Sequence, residues 1–354
     1  MNRRRLAGAT AVVLALGAIV FYSYQRWGGG ENVLGGELLA EMPTAASVVV
    51  YADLNELRQS PFLAVIYKWA PPPTADPEYA QFVQATGFDY ARDLNRLAVA
   101  LGKHGQDATL FAVADGRFDR KRIVAYASQT GTREVRSGRE ILSVPASGAP
   151  RRVSFTFLRH DRIALTDGLD LGSLVSASHK DEDTLPWRER FRRLAGSPVF
   201  AVVRQDGAVG AALGAQAPGA LQSKQLSALL DQLQWITIAA KPENDRMRMV
   251  LEGECSSDAT MRQLSDLLNG VLVLAQTGLS DPSMRRQLEP QVREAYLEML
   301  KSAEVSQIDR SETKSVRLVF DLTPKFLEAA RTAGPLPPSP RQNKPLPNRA
   351  PTRN

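Results

Sequence analysis

The sequence predicts an α+β protein: an N-terminal transmembrane helix, then two similar α+β halves whose mainly antiparallel sheets are covered by helices on one face. Three observations carry this reading. An uncharged stretch of 19 residues stands near the N-terminus. Along the body, short apolar runs of period two alternate with helical faces of period 3.6. The order of those elements occurs twice.

The N-terminal stretch is residues 6–24, LAGATAVVLALGAIVFYSY. As a helix it would be roughly 28 Å long, close to the hydrocarbon thickness of a bilayer. Leu6, Val13, Leu16 and Ile19 supply apolar surface, and Phe21, Tyr22, Tyr24 and Trp27 cluster at the far end, where an aromatic belt sits. Arg3, Arg4 and Arg5 precede it, and such basic residues stay on the cytoplasmic side. A cleaved signal peptide is the competing reading. Ala15 and Gly17 have the spacing of a cleavage site, but they come too early, and the mature chain would then begin on the bulky run 19–24. With no cysteine directly after the stretch, a lipoprotein anchor is not expected. The expected location is therefore the inner (cytoplasmic) membrane, single-pass, with the body periplasmic or extracellular.

The chain then divides into a Gly-rich tether and short helix (28–44), a first half (45–180), a second half (185–332) and a tail (334–354). The tail has seven prolines in 21 residues, with Arg341, Lys344, Arg349 and Arg353 and no acid, and reads as extended and cationic. Strands are expected at 47–52, 97–102, 108–114, 153–158, 162–166, 198–203, 235–240, 246–252 and 316–322. Four helix starts are marked by a capping side chain before proline: Ser60-Pro61, Asp76-Pro77, Asp281-Pro282 and Thr323-Pro324. Phe62 and Ile66 form one helical face, and Met261, Leu264, Leu268, Val271 and Ala275 a longer one. The hairpins LAVALGKHGQDATLFAVADG and WITIAAKPENDRMRMVLEG hold equivalent places, which gives each half the order β-α-β-β-α-β-β-α and suggests a duplication. The polar run 178–184 links the halves, and a crevice between them is the expected ligand site.

The opening ELLAEMPTAASVVVYADLNEL and the phrase TGFDYARDLNRLAVAL resemble uncharacterised bacterial membrane-anchored proteins with extracytoplasmic domains of unknown function. The resemblance covers about the first hundred residues. It implies the topology and no activity.

Chemistry-bearing residues are few. His104, His160 and His179 fall in turns or in the linker, at no metal-ligand spacing, so no metal site and no cofactor are expected. Cys255 cannot form an internal disulfide, and Glu252 and Glu254 beside it argue against a reactive thiolate. Ser311 and Lys314 match a Ser-x-x-Lys spacing, but in a turn and without the partner motifs such enzymes need. The Gly/Ala-rich segment 205–220 lacks the Gly-Lys-Ser/Thr of a phosphate loop. The net charge of +6 comes partly from the N-terminal arginines and the tail, so no nucleic-acid partner is expected. The reading is a membrane-anchored binding or scaffolding module of the bacterial cell envelope, with an envelope protein or anionic envelope polymer as partner. The alternative is an anchored hydrolase whose site is assembled from distant residues.

Overall fold

Twelve strands, among the described residues, pair into one antiparallel sheet. The computed structural model describes residues 36–333, apart from 45, 70–76, 105–106, 137, 146–151, 168–170, 172–185, 195–196, 206–230 and 283–287. The anchor, the tether before Gly36, the linker 178–184 and the tail lie outside the described residues, as does almost all of 205–220. Among the described residues no helix is long and apolar enough to cross a membrane.

In chain order the strands are β1 (Val48–Asp53), β2 (Leu94–His104), β3 (Asp107–Gly116), β4 (Thr132–Arg136), β5 (Arg139–Pro145) and β6 (Arg152–Arg159). They continue with β7 (Arg162–Thr166), β8 (Val199–Arg204), β9 (Leu233–Glu243), β10 (Arg246–Cys255), β11 (Glu304–Asp309) and β12 (Lys314–Leu322). Their spatial order is β11-β12-β10-β9-β8-β1-β2-β3-β7-β6-β5-β4. The two N-terminal strands of the expected halves, β1 and β8, lie side by side at the centre, with Val50 opposite Ala201 and Tyr51 opposite Phe200. Met247 and Met249, two residues apart on β10, pack into the core on one face of the sheet. The turn between β9 and β10 has Asn244 at φ 58°, a left-handed conformation that asparagine tolerates and a two-residue hairpin requires.

The helices are α1 (Gly36–Ala40), α2 (Leu54–Gln59), α3 (Pro61–Trp69), α4 (Pro77–Thr86) and α5 (Tyr90–Asp93). After them come α6 (Arg120–Thr130), α7 (Pro186–Arg193), α8 (Asp258–Ser280), α9 (Pro290–Ser302) and α10 (Pro324–Ala333). The prolines at 61, 77, 290 and 324 each open a helix, as a residue without an N–H does best. Thr323 caps α10 by accepting from the Phe326 N–H at 3.2 Å. Ser60 does not cap with its side chain: its hydroxyl makes no hydrogen bond, and only its carbonyl accepts, from the Leu63 and Ala64 N–H groups. Met261 and Leu264 are buried as expected, but burial along α8 ends at Ser265, and Val273 and Leu274 are exposed.

Three expectations need correction. The halves share one continuous sheet, and the first half departs from the expected order by inserting β4 and β5 between α6 and β6. Neither inserted strand was expected. β4 is fully exposed and reads TREVR, so it has no buried face to impose an apolar alternation. Helix cover is also not confined to one face. Leu54, Leu57, Phe62 and Leu63 of α2 and α3 pack on the face bearing Ala52, Val99 and Ala112. Leu38 and Leu39 of α1 and Trp187 and Phe191 of α7 pack on the opposite face with Val49, Tyr51, Phe200 and Val202. Finally, the junction between halves is not an open crevice at this position. Strand pairing closes it within the sheet, and Phe191 fills it edge-on to both Tyr51 (centroids 5.5 Å) and Phe200 (5.2 Å).

Candidate functional site

The charged residues gather in three places, two on the face that carries α1 and α7. In the first half, Asp115 at the end of β3 lies opposite Arg162 at the start of β7. Arg162 donates through Nε to one Asp115 oxygen at 2.6 Å and through Nη2 to the other at 3.0 Å, and both side chains are 4% exposed. Arg96 of β2 joins Asp115 at 3.0 Å, and Glu37 of α1 takes a second contact from Arg162 at 3.3 Å. In the second half, Glu252 and Glu254 of β10 point to the same face, two residues apart. Arg317 of β12, opposite Glu252, donates to it at 2.7 Å, and Arg310 does so at 2.6 Å. Arg193 of α7 donates to Glu254 at 2.9 Å, Arg190 also donates to Glu254, and its guanidinium lies over the Trp235 ring. Burial alone would raise the Glu252 pKa. The hydrogen bonds and charges of Arg310 and Arg317 outweigh it and bring the pKa down to about 2, so the carboxylate stays ionised into acid solution.

The third place is a cleft of about 410 Å³ where α4, the turn after it, α5 and the start of α6 meet. It is lined by Thr86, Gly87, Phe88, Arg92, Asp93, Arg117, Asp119 and Arg122. Gly87 has φ 73°, which turns the chain sharply out of α4. Its carbonyl accepts from Arg92 Nη2 at 3.1 Å. Asp93 is buried between Arg92 (2.7 Å) and Arg117 (2.8 Å). Burial acts to raise the Asp93 pKa, but bonds from Arg92 and from the Asp89 backbone, with the charge of Arg117, hold it below the usual carboxylate value. Asp119 caps α6 by accepting from the Arg122 N–H at 3.1 Å. Phe88 stacks on Phe118 beneath the cleft, with centroids 5.1 Å apart.

The residues weighed in the sequence are scattered. His104 ends β2, in register with Asp107, and His160 is an exposed turn residue between β6 and β7, its Nδ1 3.8 Å from Asp161. His179 lies outside the described residues, as do Arg3, Arg4, Arg5, Leu6, Val13, Leu16, Ile19, Phe21, Tyr22, Tyr24 and Trp27. Lys314 pairs with Asp309 and lies 3.6 Å from Asp258; the Asp309 hydrogen bond raises its pKa, so it is held as an ammonium rather than a base. Cys255 is buried at the end of β10, and burial pushes its thiol up to about 11. Among the described residues no cluster of three or more His, Cys, Asp or Glu is arranged to hold a metal.

The sequence reading missed Arg92, Arg117 and Arg122, and saw Glu252 and Glu254 only as neighbours of Cys255. The alternation of Glu252 and Glu254 on one strand face was a usable signal. For the arginines there was none, because they converge from separate elements.

No protein-family model matches the chain, and no curated protein matches it in sequence. Among solved structures it is similar to crystal forms I, IV and III of TP0453, each at 10% identity. The TM-scores are 0.44, 0.46 and 0.42, covering 82%, 84% and 84% of this chain and 94%, 96% and 98% of the other.

Proposed function

We propose that the chain is a binding or scaffolding module of the bacterial cell envelope, tethered to the inner membrane by residues 6–24, with its body on the far side from the cytoplasm. The carrying observation is the uncharged 19-residue stretch directly after Arg3, Arg4 and Arg5, with aromatic residues at its other end. Support for binding over catalysis comes from the charged groups. The two sheet-face clusters are carboxylates closed by arginines, an arrangement that fixes geometry rather than activates a nucleophile. A reporter active only outside the cytoplasm, fused after Asn354, should be active, and the purified protein should retain its N-terminus. A soluble form starting between about residues 18 and 30, where a signal peptidase would cut, would replace the anchor with a leader.

The body is, in this proposal, a diverged duplication. From the β1–β8 pair outward, β2-β3-β7-β6 on one side corresponds to β9-β10-β12-β11 on the other. The short helices α1 and α7 each precede the central strand of their half and lie on the same face. The cross-strand pairs Asp115–Arg162 (β3–β7) and Glu252–Arg317 (β10–β12) occupy corresponding strands on that face. β4 and β5 are then an addition at one edge. The repeat would be refuted by an experimental structure in which the five shared strands fail to superpose, or superpose with these two ion pairs apart.

A further inference from the structure

We propose that the cleft at α6 is a binding site for an oxyanion of the phosphate class, held by Arg92, Arg117 and Arg122. Of the charged groups lining it, three are arginines and two are aspartates, and Asp89, outside the lining, also acts on Arg92. The guanidinium groups converge. Arg92 and Arg117 share Asp93, at 2.7 and 2.8 Å. Arg92 Nη2 also reaches the Gly87 carbonyl at 3.1 Å, and Arg122 Nη1 lies against the same glycine, 3.2 Å from where a Cβ would stand. A side chain at position 87 would therefore press on Arg122, and the glycine keeps that place open to it.

Donor capacity remains. Arg92 uses Nε and Nη2 on Asp93 and Gly87, and Arg117 uses Nη2 on Asp93 and the Arg92 carbonyl. The Arg122 guanidinium meets Asp119 only through Nε, at 3.5 Å. Nη1 of Arg92, Nε and Nη1 of Arg117 and both terminal nitrogens of Arg122 make no hydrogen bond to the described residues. Asp93, buried and ionised, fixes two of the three guanidinium groups before any ligand arrives. Asp119 already caps α6, so the site rests on the arginines and not on the helix terminus. A carboxylate offers two oxygens. A phosphate monoester offers three terminal oxygens and a larger charge, which suits donors from three sides. This inference goes beyond the anchored-module reading and holds on whichever side of a membrane the body lies.

The test uses the full-length protein in detergent at pH 7, titrated with sodium phosphate and with glycerol phosphate against sodium chloride of matched ionic strength. Dihexanoylphosphatidic acid, with dihexanoylphosphatidylcholine as control, presents the same group on a lipid. The variant is Arg117→Gln with Arg122→Gln, which leaves Arg92 to hold Asp93, and its unliganded thermal midpoint checks that it folds. Saturable binding of the free phosphates that weakens roughly ten-fold or more in the variant supports the site with a soluble ligand. Binding of the lipid phosphate alone, weakened in the same way, supports the site with a headgroup as its source. No saturable response to any of them, or an equal response in the folded variant, overturns the proposal.

Discussion

Asp115→Ala should destabilise the folded chain by about 3 kcal/mol, the lower end of what breaking a buried ion pair costs. The substitution leaves Arg162, only 4% exposed, without its bidentate partner, and removes the contact to Arg96 as well. Glu37 at 3.3 Å and Glu41 at 3.9 Å remain near Arg162, which keeps the loss from the upper end of the range. Replacing both members, with Asp115→Leu and Arg162→Met together, should cost much less, because no charge is then left buried without a partner. Urea unfolding at pH 7 measures both, through a shift in midpoint at constant slope. If the single substitution cost under about 1 kcal/mol, like an exposed pair, or if the double cost as much as the single, this cluster would not be the stabilising contact described here.

That pair also shows where the sequence was readable and where it was not. β1, β2, β3 and β10 were legible because each presents one or two buried faces, which imposes apolar residues at period two or in short runs. α3, α4 and α10 were legible because proline marks a helix start whatever the tertiary context. β4 was not, since an exposed edge strand carries no periodic signal, and β11, with only Val305 and Ile308 as apolar residues, carries almost none. The charged sites were hidden for a different reason. Asp115 and Arg162 are 47 residues apart in sequence, and Arg193 and Glu254 are 61 apart. In the cleft, Arg92, Arg117 and Arg122 come from α5, the turn after β3 and α6. No local spacing records such encounters; only the strand order does. The duplication sits between these cases: hairpins and helix starts suggested it, but the inserted edge strands changed the element count.

Trp187→Ala should cost about 3–5 kcal/mol, the range for deleting a large buried aromatic side chain. Trp187 is wholly buried, and its indole N–H donates to the Leu39 carbonyl at 3.2 Å. The contact fastens α7, which leads into β8, to α1, which leads into β1. Trp187→Phe should cost less than half as much. It keeps a ring in the same core, and the Leu39 carbonyl still accepts from the Met42 N–H at 3.2 Å, so no acceptor is stranded. If residues 6–24 are the anchor, α1 is also the first described helix beyond the tether, and Trp187 is where the second half grips the segment that reaches the membrane. Loosening that grip should therefore show twice in the alanine variant: as a lower denaturant midpoint, and as faster proteolysis near Gly36 under native conditions. The phenylalanine variant should show neither strongly. A midpoint for Trp187→Ala within about 0.5 kcal/mol of the parent, as for a surface change, would mean that α1 and α7 do not pack as described, and would remove the junction between the halves on this face of the sheet.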